Sequence, residues 1–204
     1  MTFSCIAVSA AGCKEFEAYY EKREYASAMK ELMPLVAERN AYAQYSFAAM
    51  AFTGRGMHRD KQRSVEMFRL SAVQEFPPAL WALGNFYLYG DIVERDHEEA
   101  LRLFKAAALR GYGPAFMTLG LLYESGREVA QDLITANAMY KVSHRYFEFD
   151  EPGAPRPGFN QNTRDGIERT ELHLSQQEIA EADELVRELR SKVREDWSDR
   201  CEDN

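Results

Sequence analysis

ALWALGNFYLYGDIVERD (79–96), followed directly by HEEALRLFKAAALRG (97–111), is the stretch that decides the fold. Ala79, Leu83, Phe86, Tyr87 and Gly90 share one face when projected at the helical period, and Ala100, Leu103, Phe104, Ala107 and Ala108 share another. Gly90 closes the first helix, because a residue without Cβ adopts the left-handed conformation at little cost. Asp96 then stands where a side-chain oxygen accepts the unpaired N–H groups of the next helix, and Glu99, three residues on, predicts a capping box. Val93 supplies an apolar anchor in the short loop between them.

The same text recurs at a fixed spacing of 36 on both sides. AQYSFAAMAFTGRGMHRD (43–60) and AFMTLGLLYESGREVAQD (115–132) align with 79–96 without a gap. Ala43, Ala79 and Ala115 fall in one column, Gly54, Gly90 and Gly126 in another, and Asp60, Asp96 and Asp132 in a third. In the second halves, Ser64, Ala100 and Ala136 align, as do Phe68, Phe104 and Tyr140. One helix pair cannot bury both of its apolar faces, whereas stacked pairs can, so this period predicts a helical repeat array. The recurring aspartates are read as caps, since one structural position explains both their type and their place.

The pattern A..LG..Y..G....D...A...F..AA..G resembles the Sel-one-like repeat, a relative of the tetratricopeptide repeat, and ALGNFYLYGDIVERDHEEALRLFKAAALRG (82–111) carries it most fully. AYYEKREYASAMKELMPLVAERN (18–40) is similar to the degenerate opening helix pair of bacterial proteins of this type, and LSQQEIAEADELVREL (174–189) to their closing helix. The resemblance implies an all-α fold, a right-handed α-α superhelix with a C-terminal capping helix, and it covers roughly residues 16–192. The first repeat departs from the pattern at Phe47–Ala48 and Glu75, and the third at His144. Pro34 is expected to kink or shorten its helix.

The organisation expected is a signal-like segment over 1–13, a repeat array over 14–148 (opening pair 14–40, repeats 43–76, 79–112 and 115–147), and a Pro/Gly-rich loop over 149–164. Capping helices over 165–194 and an acidic tail over 195–204 complete it. Ser175 with Glu178 predicts the start of the closing helix, and Ile179, Ala182, Val186, Leu189 and Val193 form its apolar stripe. In MTFSCIAVSAAGC (1–13) the ending AAGC resembles the lipobox of bacterial lipoproteins, which implies lipidation of Cys13, anchoring to a membrane and a place in the periplasm or cell envelope. The opposing reading is an N-terminal arm of a cytoplasmic protein.

The net charge of −8 sits mostly at the end: from Asp165 onward there are 13 acids against 6 bases. No basic face is in view, so nucleic acid is not expected as a partner. The three cysteines, Cys5, Cys13 and Cys201, give neither a disulfide framework nor a metal spacing, and the four histidines are isolated. No phosphate loop, nucleophile elbow or paired metal motif is present. No catalytic residue, metal or cofactor is assigned, and a hydrolase is the least favoured reading.

The resemblance implies a curved array lined on its concave side by the first helix of each pair. Projection places Tyr45 and Phe52 in the first repeat, Trp81, Asn85 and Leu88 in the second, and Met117 and Leu121 in the third away from each repeat's own core. Ala49 and Glu124 occupy equivalent positions. So apolar a face is either a groove for a polypeptide partner or packing between neighbouring helices. The expected function is non-catalytic: an adaptor or scaffold binding a protein or peptide, as monomer or homodimer, with a self-assembling envelope protein as the alternative.

Overall fold

The computed structural model describes residues 3–148 and 157–194. Ten helices follow one another and no strand occurs among the described residues: α1 (Phe3–Glu21), α2 (Tyr25–Ala37), α3 (Ala41–Thr53), α4 (Lys61–Val73), α5 (Pro77–Tyr89), α6 (His97–Leu109), α7 (Gly113–Ser125), α8 (Leu133–Glu148), α9 (Pro157–Glu171) and α10 (Gln176–Lys192). They fall into two compact units, the first containing α1–α5 and ending at Arg95, the second containing α6–α10 and starting at Asp96. The all-helical expectation holds.

The caps explain why the helices begin and end where they do. Asp60, Asp96 and Asp132 each accept a hydrogen bond at 2.9 Å, from the backbone N–H of Arg63, Glu99 and Thr135 respectively. Each satisfies a donor that the helix's own ladder leaves open. The capping box expected at Asp96 does not close, because the Glu99 carboxylate turns outward to Arg102 (2.6 and 2.7 Å). A charge-assisted pair along the helix outcompetes a return bond to the backbone there. The box at Ser175 and Glu178 does form. Gly54, Gly90 and Gly126 close α3, α5 and α7 at φ of 76, 69 and 65°. Arg39, Glu75 and Gly111 form a further column in the left-handed region, at φ of 61, 59 and 80°, with the repeat spacing. The period therefore extends back to the turn after α2, although two of its three residues pay the steric cost that glycine avoids.

In the first unit α1 packs on α2, α2 on α3, α3 on α4 and α4 on α5. Its core gathers Cys13, Phe16, Ala28, Leu32, Leu35, Ala43, Phe47, Met50 and Ala51, with Tyr19, Tyr20, Tyr25 and Met29 half-buried against it. α2 continues through Pro34 and ends three residues later, at Ala37. α1 is continuous from Phe3 to Glu21. Cys13 and Phe16 bury together on this helix, which packs against α2.

In the second unit α7 packs against α6, α8 and α9, and α8 also against α9 and α10. The stretch read as a loop over 149–164 is helical from Pro157 onward. Proline opens a helix well, because its missing N–H has no partner in the first turn. Residues 149–156 of that stretch and the acidic tail over 195–204 lie outside the described residues. The repeated columns are core: Ala79 and Ala115, and likewise Ala100 and Ala136, are fully buried, as are Phe104 and Tyr140.

Candidate functional site

The face predicted from the first helices divides once the side chains are placed. In the first unit, Tyr45 of α3 packs its ring on Phe68 (5.6 Å between centroids) and Phe76 (5.5 Å). Phe52 lies against Phe86 of α5 at 5.5 Å, with the Arg59 guanidinium 5.5 Å and the Lys61 ammonium 6.0 Å from its ring centre. Both residues therefore serve helix packing, yet neither is buried fully. Trp81 and Asn85 of α5 are half-buried, and the Asn85 amide donates to the Trp81 carbonyl at 2.9 Å. Leu88 is only 9% exposed and belongs to the core.

In the second unit, Met117 is half-buried and Leu121 is 46% exposed on α7. Glu124, next along that line, is committed internally. Arg169 of α9 donates to both of its oxygens (2.8 and 3.0 Å), and the Tyr140 hydroxyl donates to Oε2 at 2.5 Å. These bonds, that to Arg169 foremost, hold the Glu124 carboxyl below its ordinary range, against the opposing effect of burial. Burial first, and then the neighbouring carboxylate, push the Tyr140 phenol well above its usual value. Beside this group Lys141 bridges Asp183 (2.7 Å) and Glu171 (3.0 Å). Burial disfavours its charge, and the two carboxylates outweigh that and raise it.

The depressed Glu124 carboxyl sets a pH dependence. Between the folded and unfolded pKa values the unfolded chain binds the extra proton, so stability rises with pH in that window. Glu124→Gln is expected to cost about 1 kcal/mol at pH 7, below the roughly 1.5–3 kcal/mol of a buried charged hydrogen bond because Arg169 is half-exposed. The gap between variant and wild type should start to narrow below the unfolded value of about 4.3 and close as pH falls through the lower folded one. Urea midpoints at several pH values measure it, and a gap that does not narrow at all in acid would contradict the assignment.

Cys13, the residue matched to the lipobox, is 2% exposed in the first unit's core and is disulfide-bonded. The spacing of three cysteines gave no sign of a bridge, because a single one leaves no pattern in sequence. A sulfur in a disulfide is not available to a lipid thioether, so the two states exclude each other.

A further group was not singled out from the sequence. Phe16, Glu17, Tyr20 and Glu21 of α1 and Tyr42 of α3 line a cleft of about 520 Å³. Phe16 is buried, its ring 5.7 Å from Tyr20 and 6.2 Å from Tyr42. Tyr42 donates to Glu17 Oε1 at 3.0 Å. The signal was there in the i, i+4 spacing of Phe16 with Tyr20 and of Glu17 with Glu21, which puts each pair on adjoining turns of one helix.

Residues 41–74, 77–112 and 119–143 match the family model of the Sel1 repeat. No curated protein matches the sequence. Among solved structures, the chain is similar to c5321, a protective antigen present in uropathogenic Escherichia coli strains and displaying an SLR fold. The TM-score is 0.68 at 24% identity, over 82% of this chain and 33% of that one. It is also similar to a Sel1 repeat protein from Oxalobacter formigenes, with a TM-score of 0.61 at 23% identity, over 66% of this chain and 54% of that one. The chain thus spans about a third and about half of these two proteins, and at such identities the likeness is one of fold.

Proposed function

The chain belongs to the Sel1-repeat family, whose members generally mediate protein–protein interaction, and from that premise we propose that it is a non-catalytic adaptor gripping a polypeptide through the α3 and α5 face of its first unit. The observation that carries this reading is the half-exposed aromatic set of Tyr45, Phe52 and Trp81, with the Asn85 amide among them. Aromatic side chains seated on rigid helices lose little entropy on binding and commonly dominate interface energy. In the second unit Met117 and Leu121 form a separate, partly exposed apolar patch on α7. The family is typically non-catalytic, and the titratable groups with displaced protonation in the second unit are spent on one another.

The compartment we propose is the cell envelope. The disulfide at Cys13 supports an oxidising environment. Lipid anchoring through the same sulfur is the competing state. The mass of the native peptide containing Cys13 separates a half-cystine from a diacylglyceryl adduct, and a free thiol would count against the envelope.

Combining Trp81→Ala with Asn85→Ala is expected to weaken capture of the polypeptide partner at least tenfold, about 1.4 kcal/mol, while the helical circular dichroism stays unchanged. Unchanged capture with intact helicity would remove this face as the binding surface. Light scattering on the same variants addresses self-assembly: a wild-type dimer that dissociates on Trp81→Asp would replace partner recruitment with association between copies.

A further inference from the structure

We propose that the polypeptide gripped by the α3 and α5 face carries an acidic side chain about three residues from its apolar anchor, and that Arg59 receives this carboxylate. The proposal rests on the polypeptide-binding reading and adds the chemistry of one contact.

Arg59 stands in the loop after α3, at the Phe52 end of that face. Its guanidinium lies 5.5 Å from the Phe52 ring centre, and its Nε donates to the Phe52 carbonyl at 2.9 Å. The side chain is exposed, and among the described residues no carboxylate pairs with it. The Lys61 ammonium beside the same ring is already paired with Asp91 at 2.7 Å. Arg63, exposed in the first turn of α4, lies over the Phe47 ring at 5.1 Å and likewise has no carboxylate partner among the described residues. A guanidinium held by its face against a ring keeps its edge donors open, and Nη1 and Nη2 of Arg59 are of this kind. Tyr45 precedes Phe52 by seven residues on α3. At the helical rise this is roughly 10 Å, the reach of about three extended residues, which sets the spacing between the apolar anchor and the acid.

The repeat shows that the fold needs neither charge. Arg59, Arg95 and Gln131 share one column, and each donates to a carbonyl at the end of the preceding helix, that of Phe52, Tyr89 and Glu124 respectively (2.9, 3.3 and 2.9 Å). Gln131 does so with a neutral amide, so the turn needs a donor and no charge. Arg63 shares its column with Glu99 and Thr135, in the first turn of a helix, where the dipole favours an acid and disfavours a cation. α4 has no acid in that turn. Positive charge therefore collects at this corner without a local reason, and the group that complements it is a carboxylate, which accepts the paired donors of a guanidinium. The first 95 residues carry 11 Lys and Arg against 11 Asp and Glu, so the positive potential is confined to the corner. It is sized for an acidic side chain, whereas a nucleic acid or an anionic membrane calls for an extended basic surface.

The test is a titration of the ¹⁵N-labelled full-length chain, followed by NMR, with acetyl-Trp-Ser-Ser-Glu-amide, with the reversed order acetyl-Glu-Ser-Ser-Trp-amide, and with both peptides carrying glutamine for glutamate. In one of the two orders the acidic peptide should shift the amides of Phe52, Arg59 and Trp81 saturably, with a Kd of about 1 mM. It should bind about threefold more tightly than its glutamine counterpart, as expected for one solvated ion pair. That preference should shrink as salt is added. Arg59→Gln, which keeps a donor for the Phe52 carbonyl as Gln131 does for Glu124, should abolish the preference. The glutamine peptide's affinity and the helical circular dichroism should stay unchanged in that variant. Equal affinity for acid and amide in both orders, a preference that survives Arg59→Gln, or no saturation with any of the peptides overturns the proposal. The two readings fail separately. Partner capture that depends on Trp81, with no preference for the acidic peptide, leaves the α3 and α5 face standing and removes the Arg59 contact. A preference that Arg59→Gln abolishes, in a chain whose partner capture is indifferent to Trp81, removes the face and leaves the Arg59 contact.

Discussion

Tyr140→Ala is expected to destabilise the second unit by about 4 kcal/mol, in the range for emptying a buried aromatic site. The side chain is fully buried on α8, in the column it shares with Phe68 and Phe104. Two glycines make room for it. A Cβ built on Gly120 of α7 would lie 2.8 Å from the ring, and one built on Gly166 of α9 would lie 2.7 Å from its other edge. The ring cannot slip from one neighbour without striking the other, so Gly166→Ala and Gly120→Ala should each destabilise the wild type. Overpacking of this kind costs about 1–3 kcal/mol, more than the roughly 1 kcal/mol that alanine gains over glycine inside a helix. In the Tyr140→Ala background the sign reverses, because the added methyl fills the cavity and the helix gain remains. Chemical denaturation of the four variants in each cycle reads the coupling. Additive effects, with glycine substitution harmful in both backgrounds, would show that the ring is not wedged between α7 and α9.

That wedge marks the boundary of what sequence can convey. From α3 to α8 the helices are legible, because the same residue types return every 36 positions and each column has a physical job. Alanine or serine sits where helices touch, an aromatic fills the space beside it, aspartate caps and glycine stops. Where a job is done by an unusual residue the column fades. The left-handed turn after α2 and after α4 is made by Arg39 and Glu75, and only Gly111 advertises it. Toward the C-terminal end local text misleads. Proline and glycine around position 157 suggest a loop, although proline there starts α9 and Gly166 is required by a ring 26 residues earlier. The α3 and α5 face was legible as a line of side chains, but not in its division into half-exposed Trp81 and covered Leu88, which depends on neighbours far along the chain. The cleft lay outside the repeats, so periodicity gave it no emphasis.

Phe16→Ala measures how firmly α1 is held in the core of the first unit. The ring is 3% exposed and shares a cluster with Leu32, Leu35 and Phe47, from α2 and α3. A leader docked loosely would give up little on truncation, within about 0.5 kcal/mol of wild type, as for surface substitutions. A core aromatic gives up its transfer free energy and leaves a cavity, about 3 kcal/mol in all. We expect the larger value, read from the denaturation midpoint of the first unit. Glu21→Gln provides the contrast, since Glu21 is exposed on the same helix and its substitution leaves the core alone. Loss of stability with Phe16→Ala and none with Glu21→Gln is the pattern expected if the buried side of α1 completes the core of the first unit. A stability change under 0.5 kcal/mol for Phe16→Ala would detach α1 from the fold and take the cleft with it.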